Sequence, residues 1–168
     1  MSLSGMGPHV GEGFAGDGAN AAHVNVVVGL SSGPVGVAWT TALATPRQGH
    51  VPFVAVARPG VPVQPFTLFV NKATIENDEH GRLTWGAAQA GIAAGVGDAS
   101  RARILPRNTR GILLIAAVWV NPAAGNENEV FENNRAATID ALKMASKGGI
   151  DRATALEAMA DPANPYFR

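Results

Sequence analysis

The run GILLIAAVWVN, residues 111–121, constrains this chain more than any other segment. It is apolar at nearly every position, so as a strand it has no face suited to water. Such a strand belongs in the middle of a sheet. As a helix it is about half of the roughly 20 residues needed to span a membrane. The run therefore predicts a central strand, and no membrane partner is expected.

A second strand is read in HVNVVVG, residues 23–29. Side chains alternate across a strand, so Val24, Val26 and Val28 share one face and His23, Asn25 and Val27 the other. The valine face is the natural core face. FVAVAR, 53–58, and TLFVNKATI, 67–75, complete a sheet of about four strands. In the latter, Lys72 and Thr74 fall in line with Leu68 and Val70. That placement marks either an edge strand with its protective lysine or a pocket.

Helices are read between the strands. Gly33-Pro34 starts one, with Val35, Ala38, Trp39, Ala42 and Leu43 at helical spacing. GAAQAGIAAGVGDAS, following Trp85, forms another from small residues, suited to close approach. Residues 127–147 form a third, closed by Gly148-Gly149, and Asp151 caps a last short helix through Ala160. Residues 59–65, with three prolines, are read as an irregular loop. The order of elements gives an α+β two-layer sandwich with helices on one face of the sheet.

At 168 residues the chain suffices for one domain with a core. Charged residues are 15%, low for a monomer, while glycines number 20; the balance predicts a homo-oligomer. Net charge is zero, so nucleic acid is not an expected partner. There is no cysteine, which excludes disulfides and thiolate chemistry and fits a cytoplasmic protein. The start MSLSGMGPHVG has neither the charged nor the apolar part of a signal peptide. Residues 1–10 are read as a disordered or vector-derived lead, 11–168 as a single domain, and the tail DPANPYFR as a segment that docks on it.

GEGFAG, from Gly11 to Gly16, matches G-x-G-x-x-G literally. A dinucleotide site needs a strand before that motif and a helix after it. Here a strand follows, so the segment is read as a turn-rich lead to residues 23–29. His23 at the join is either a satisfied strand-end histidine or a general acid–base, since imidazole titrates near neutrality. His9, His50 and His80 stand at no metal-ligand spacing from it, so no metal is expected. Gln89, in the small-residue helix, has exposure as its bland reading.

Together these blocks resemble a known family. GDGANAAHVNVVVG, GPVGVAW, TTALATPRQGH, FVAV, TLFVNKATI and GAAQAGIAAGV run in the order and spacing of the formaldehyde-activating enzymes. The similarity covers residues 11–121 and continues weakly through 127–147. It implies an α+β fold of the ribosomal protein S5 domain 2-like type. It implies condensation of formaldehyde with tetrahydromethanopterin, as co-substrate, to the methylene carrier. The implied assembly is a homopentamer with the pterin between neighbouring subunits. On this resemblance the catalytic histidine falls on His23, and the pterin contacts fall on Asn25, Val54, Lys72, Thr74 and Gln89.

The chain departs from the family pattern at three places. Asn25 stands where the family has an aspartate; the shape is kept and the charge lost. Trp119-Val120-Asn121-Pro122 stands where a histidine is usual, and FENNRAAT replaces a tyrosine-rich helix start. Alternatives to the lyase are a non-catalytic homologue that binds a pterin or other one-carbon carrier, and an enzyme of the same fold using another aldehyde or amine.

Overall fold

The computed structural model describes residues 8–163. Its centre is a five-stranded mixed sheet in the order β1 (His9–Ala15), β2 (Ala22–Leu30), β7 (Ile112–Trp119), β6 (Phe66–Asn71) and β3 (Phe53–Val54). The most apolar segment of the chain is thus its middle strand. All neighbours are antiparallel except β6 and β7. Along β7 every second residue from Ile112 to Val118 is buried, and those between are half-buried.

The buried face carries Val24, Val26, Val28, Leu114, Ala116 and Val118. α4 (Glu127–Ser146) packs against it, and α3 (Gln89–Arg101) lies beside α4 with Ile92 and Val96 in the same core, giving the two layers of an α+β fold. The small residues of α3 do serve close approach. A Cβ at Gly91 would stand 2.5 Å from the Phe131 carbonyl oxygen, and one at Gly95 2.7 Å from Thr138 Cβ. α4 begins where Asn126 accepts a hydrogen bond from the Glu129 amide, an ordinary N-cap.

Several elements differ from the sequence reading. The turn-rich lead is in fact the edge strand β1, and it includes His9 and Val10 of the segment read as lying outside the fold. Its core-facing positions are Gly11 and Gly13. A Cβ there would lie 1.9 Å from the Ala141 carbonyl oxygen and 2.0 Å from that of Ala137. The backbone of α4 occupies the space where strand side chains would sit, so the hydrophobic alternation that advertises a strand is missing.

The segment 53–58 divides between β3 and β4 (Val56–Arg58), and β4 makes a hairpin with β5 (Val61–Pro62) inside the expected loop. β6 stops at Asn71, short of the expected Ile75. Asn71 Nδ2 donates to the carbonyls of Gly49 (2.7 Å) and Ala73 (2.8 Å), which turns the chain out of the ladder. The helix expected after Trp85 starts earlier, as α2 (Asp78–Arg82), and continues through a π-helical stretch, Leu83–Ala88, into α3.

Helices do not keep to one face either. α1 (Pro34–Ala44) crosses the far end of the other face, where Val35 lies 2.5 Å from any Cβ placed on Gly29. Among the described residues no helix covers the near end of that face, with His23. α5 (Arg152–Ala160) is capped by Asp151, as read, and buries none of its side chains. The tail's expected docking lies, for 164–168, outside the described residues, as do residues 1–7 of the lead.

Candidate active site

His23 is on the open face because its valine neighbours take the core face of β2. In the ladder it stands between Phe14 of β1 and Trp119 of β7. The Phe14 ring lies 6.0 Å from the imidazole at 44° and walls one side. Two residues on, Asn25 stands between Glu12 and Ala117. Ala117 is in turn beside Val70 of β6.

Lys72 follows the last residue of β6 and is tied by its amide to the Val118 carbonyl, 2.8 Å away. Its side chain runs back across β7, where Ala117 presents only a methyl. Nζ donates to Asn25 Oδ1 at 2.8 Å and lies 3.4 Å from His23 Nδ1. On the other side of the ring, His23 Nε2 is 3.1 Å from Glu12 Oε1. Three strands and the residue after β6 therefore converge on one imidazole.

This pattern fixes the ring's tautomer. An ammonium has donors only, so Nδ1 accepts from Lys72 and Nε2 carries the proton, donating it to Glu12. Burial pushes the His23 pKa below its ordinary value, and the positive Lys72 pushes the same way; Glu12 opposes both. On balance the neutral imidazole is favoured. Burial also lowers the Lys72 pKa, against the pull of Glu12.

The other site candidates lie apart in the isolated chain. Thr74 Oγ1 is 3.1 Å from His50 Nε2, and His50 Nδ1 donates to the Asn71 carbonyl at 3.0 Å. His50 borders a cleft of about 700 Å³ between α1 and the loop before β3, lined also by Val37, Ala38, Arg47 and Val70 among others. Gln89 is 7% exposed rather than solvated, and its Oε1 accepts from the Val56 amide at 2.6 Å. Val54 is half-buried in β3, three places from β2 in the sheet. The fold brings His23, Asn25 and Lys72 together, pairs Thr74 with a histidine, and leaves Gln89 and Val54 at the opposite sheet edge.

Two residues of this region escaped the sequence reading. Glu12 was legible only to a reader who took HVGEGFA as a strand, since register then sets it opposite Asn25. His50 carried no local signal; a turn closed between Arg47 and His50 delivers it to Asn71. His80 is buried, with Nε2 3.1 Å from the Val120 carbonyl. Among the described residues no three His, Asp or Glu side chains converge as a metal site.

Comparison with known proteins gives the family. The family model described as formaldehyde-activating enzyme (Fae) matches residues 10–167. The chain is 39% identical over 161 residues to the 5,6,7,8-tetrahydromethanopterin hydro-lyase of Methanosarcina barkeri, covering 94% of this chain and 89% of that protein. It is 36% identical over 137 residues to the bifunctional enzyme Fae/Hps of Methanosphaera stadtmanae, covering 81% of this chain and 34% of that protein. For the bifunctional enzyme Fae/Hps of Methanosarcina mazei the figures are 34% over 149 residues, 88% and 38%. The chain thus spans little more than a third of those bifunctional relatives. Matched along nearly its whole length, with its imidazole, ammonium and amide drawn together on one open sheet face, the chain belongs to the formaldehyde-activating enzyme family.

Proposed function

We propose that the protein is a lyase that condenses formaldehyde with tetrahydromethanopterin, giving methylene-tetrahydromethanopterin and water. The observation that carries the reading is the His23 ring held between Lys72 and Glu12 on the open sheet face. An amine nitrogen of the pterin attacks the formaldehyde carbon, and its proton must go somewhere. The neutral imidazole accepts it. The resulting imidazolium then returns the proton to the carbinolamine hydroxyl, which leaves as water. The iminium so formed is closed by the second nitrogen, whose proton is released to solvent and replaces the one that the alkoxide took up from solvent to become the hydroxyl. Glu12 stabilises the transient imidazolium, and holding one small carbon beside two nitrogens is chiefly an entropic task. His23 is the acid–base; Asn25, Val54, Lys72, Thr74 and Gln89 are the pterin-binding set of this reading.

The fold, in this reading, is of the ribosomal protein S5 domain 2-like type, and the protein works in the cytoplasm as a homopentamer. Support comes from apolar groups left bare on the His23 side of the sheet and on α1: Val10 is 57% exposed and Val37 68%. A neighbouring subunit covering them would also bring its own residues to the site, which reconciles Gln89 and Val54 with a shared pterin. Sedimentation analysis tests this directly; a monomer at micromolar concentration refutes it.

A second reading rests on Asn25. Without a carboxylate against Lys72, the protein is a pterin-binding homologue that does not accelerate condensation. Calorimetry with tetrahydromethanopterin beside the rate assay separates the two: binding without acceleration favours the second. A panel of aldehydes and reduced pterins or folates exposes use of another substrate.

The pH dependence has a defined sign. A base must be unprotonated, and His23 titrates below the ordinary imidazole value. The enzyme-dependent kcat/KM is therefore expected to fall only as pH drops below about 6.5. Lys72→Met removes a charge that lowers the His23 pKa, so NMR titration of the ring should shift upward. A downward shift would contradict the assigned electrostatics.

A further inference from the structure

We propose that Lys72 is itself a nucleophile for formaldehyde, capturing it on Nζ and handing it to the pterin. This deepens the reading of the site as formaldehyde-handling and rests on it. The chain has three lysines, Lys72, Lys143 and Lys147. Lys143 in the last turn of α4 and Lys147 just after it are exposed, and Lys143 pairs with Asp140 at 2.9 Å. Lys72 alone is half-buried, and its hydrogen-bond partners are a neutral amide and a neutral imidazole. Glu12 is bonded to the far nitrogen of His23 rather than to the amine.

The two contacts made by the ammonium also suit the free amine, the form that attack requires. An amine has two N–H groups and one lone pair. Asn25 Oδ1 and His23 Nδ1 accept the two hydrogens, at 2.8 and 3.4 Å, leaving the lone pair unengaged. Burial favours this neutral form. The imidazole is also placed to move the protons that capture requires.

The step balances without any added oxidant or reductant. The Nζ lone pair attacks the formaldehyde carbon, and the carbonyl π pair moves to oxygen. His23 takes the proton from Nζ while the oxygen takes one from solvent, giving Nζ–CH₂–OH. The His23 imidazolium then protonates the hydroxyl, which departs as water, leaving Nζ=CH₂ as a cationic iminium. In sum, amine, formaldehyde and one proton give iminium and water. Attack of a pterin nitrogen on that carbon, with expulsion of the amine, restores Lys72.

The test needs no pterin. Wild-type protein is treated briefly with dilute formaldehyde and cyanoborohydride, which reduces an iminium to a methylamine, and each lysine is scored by peptide mass spectrometry. Burial lowers the Lys72 pKa and so raises its share of free amine, and methylation of Lys72 is expected to exceed that of Lys143 and Lys147 measurably. Asn25→Asp sets a carboxylate against Nζ, and His23→Gln removes the proton carrier. Both should bring Lys72 toward the rate of the surface lysines, which serve as internal standards. Equal methylation of all three lysines in the wild type, or either variant labelling Lys72 at the wild-type rate, overturns the proposal. Condensation is assayed in parallel: activity without preferential labelling removes only the covalent step, whereas wild-type protein without activity removes the reading on which it rests.

Discussion

His23→Ala is expected to lower the enzyme-dependent rate of condensation by about 10²–10⁴-fold, the usual worth of a positioned acid–base. The side chain is 37% exposed and lies on the face away from the valine core, so the fold should survive its removal. Formaldehyde and reduced pterins also condense unaided, so the quantity to compare is acceleration over the protein-free mixture at equal concentrations. Circular dichroism and sedimentation of the variant establish that structure and assembly are intact. His23→Gln adds a control in which hydrogen bonding to Lys72 and Glu12 is partly kept while proton transfer is not. Undiminished acceleration in both variants would remove His23 from the chemistry.

The largest expected effect on stability is at β1. Gly13→Ala adds one methyl, and that methyl would stand 2.0 Å from a main-chain oxygen of α4. A flexible side chain could swing aside, but the Ala137 carbonyl belongs to a helix turn. Either β1 or α4 must shift as a body. Overpacking of this kind costs about 3 kcal/mol or more, at or beyond the upper end of the usual range. For a domain of this size that lowers the melting temperature by roughly 6–12 °C. Gly11→Ala, whose methyl would stand 1.9 Å from the Ala141 oxygen, should behave alike. Gly86→Ala is the contrast: nothing lies within 4 Å of its Cβ, and the change is expected to be neutral or to stabilise by up to about 1 kcal/mol. Urea denaturation of the three variants checks both expectations. Gly13→Ala unfolding with the wild type would mean that α4 does not sit this close to β1.

The two glycines of β1 also explain how far the sequence could be read. Residues 23–29 and 111–121 carry their side chains in patterns with one sensible burial, and both lie where those patterns put them. Asp151 caps α5 because a capping bond is local. β1 was hidden because a strand is recognised by its core-facing side chains, and here those positions are bare backbone. The early end of β6 was hidden for another reason: Asn71 is held by Gly49, a residue 22 positions away, and no local pattern encodes such a bond.

The candidate site divides along the same line. Alternation alone put His23 and Asn25 on one face of one strand, and the resemblance of the motif blocks implied their roles and that of Lys72. Residue order along the chain determined that much, because side-chain alternation and capping depend on near neighbours. That Lys72 crosses β7 to reach Asn25, that Glu12 fixes the imidazole tautomer, and that Thr74 is bonded to His50 were decided by strand order and register. Those are relations between segments distant in sequence, and they come into being only when the sheet assembles and α4 closes on β1.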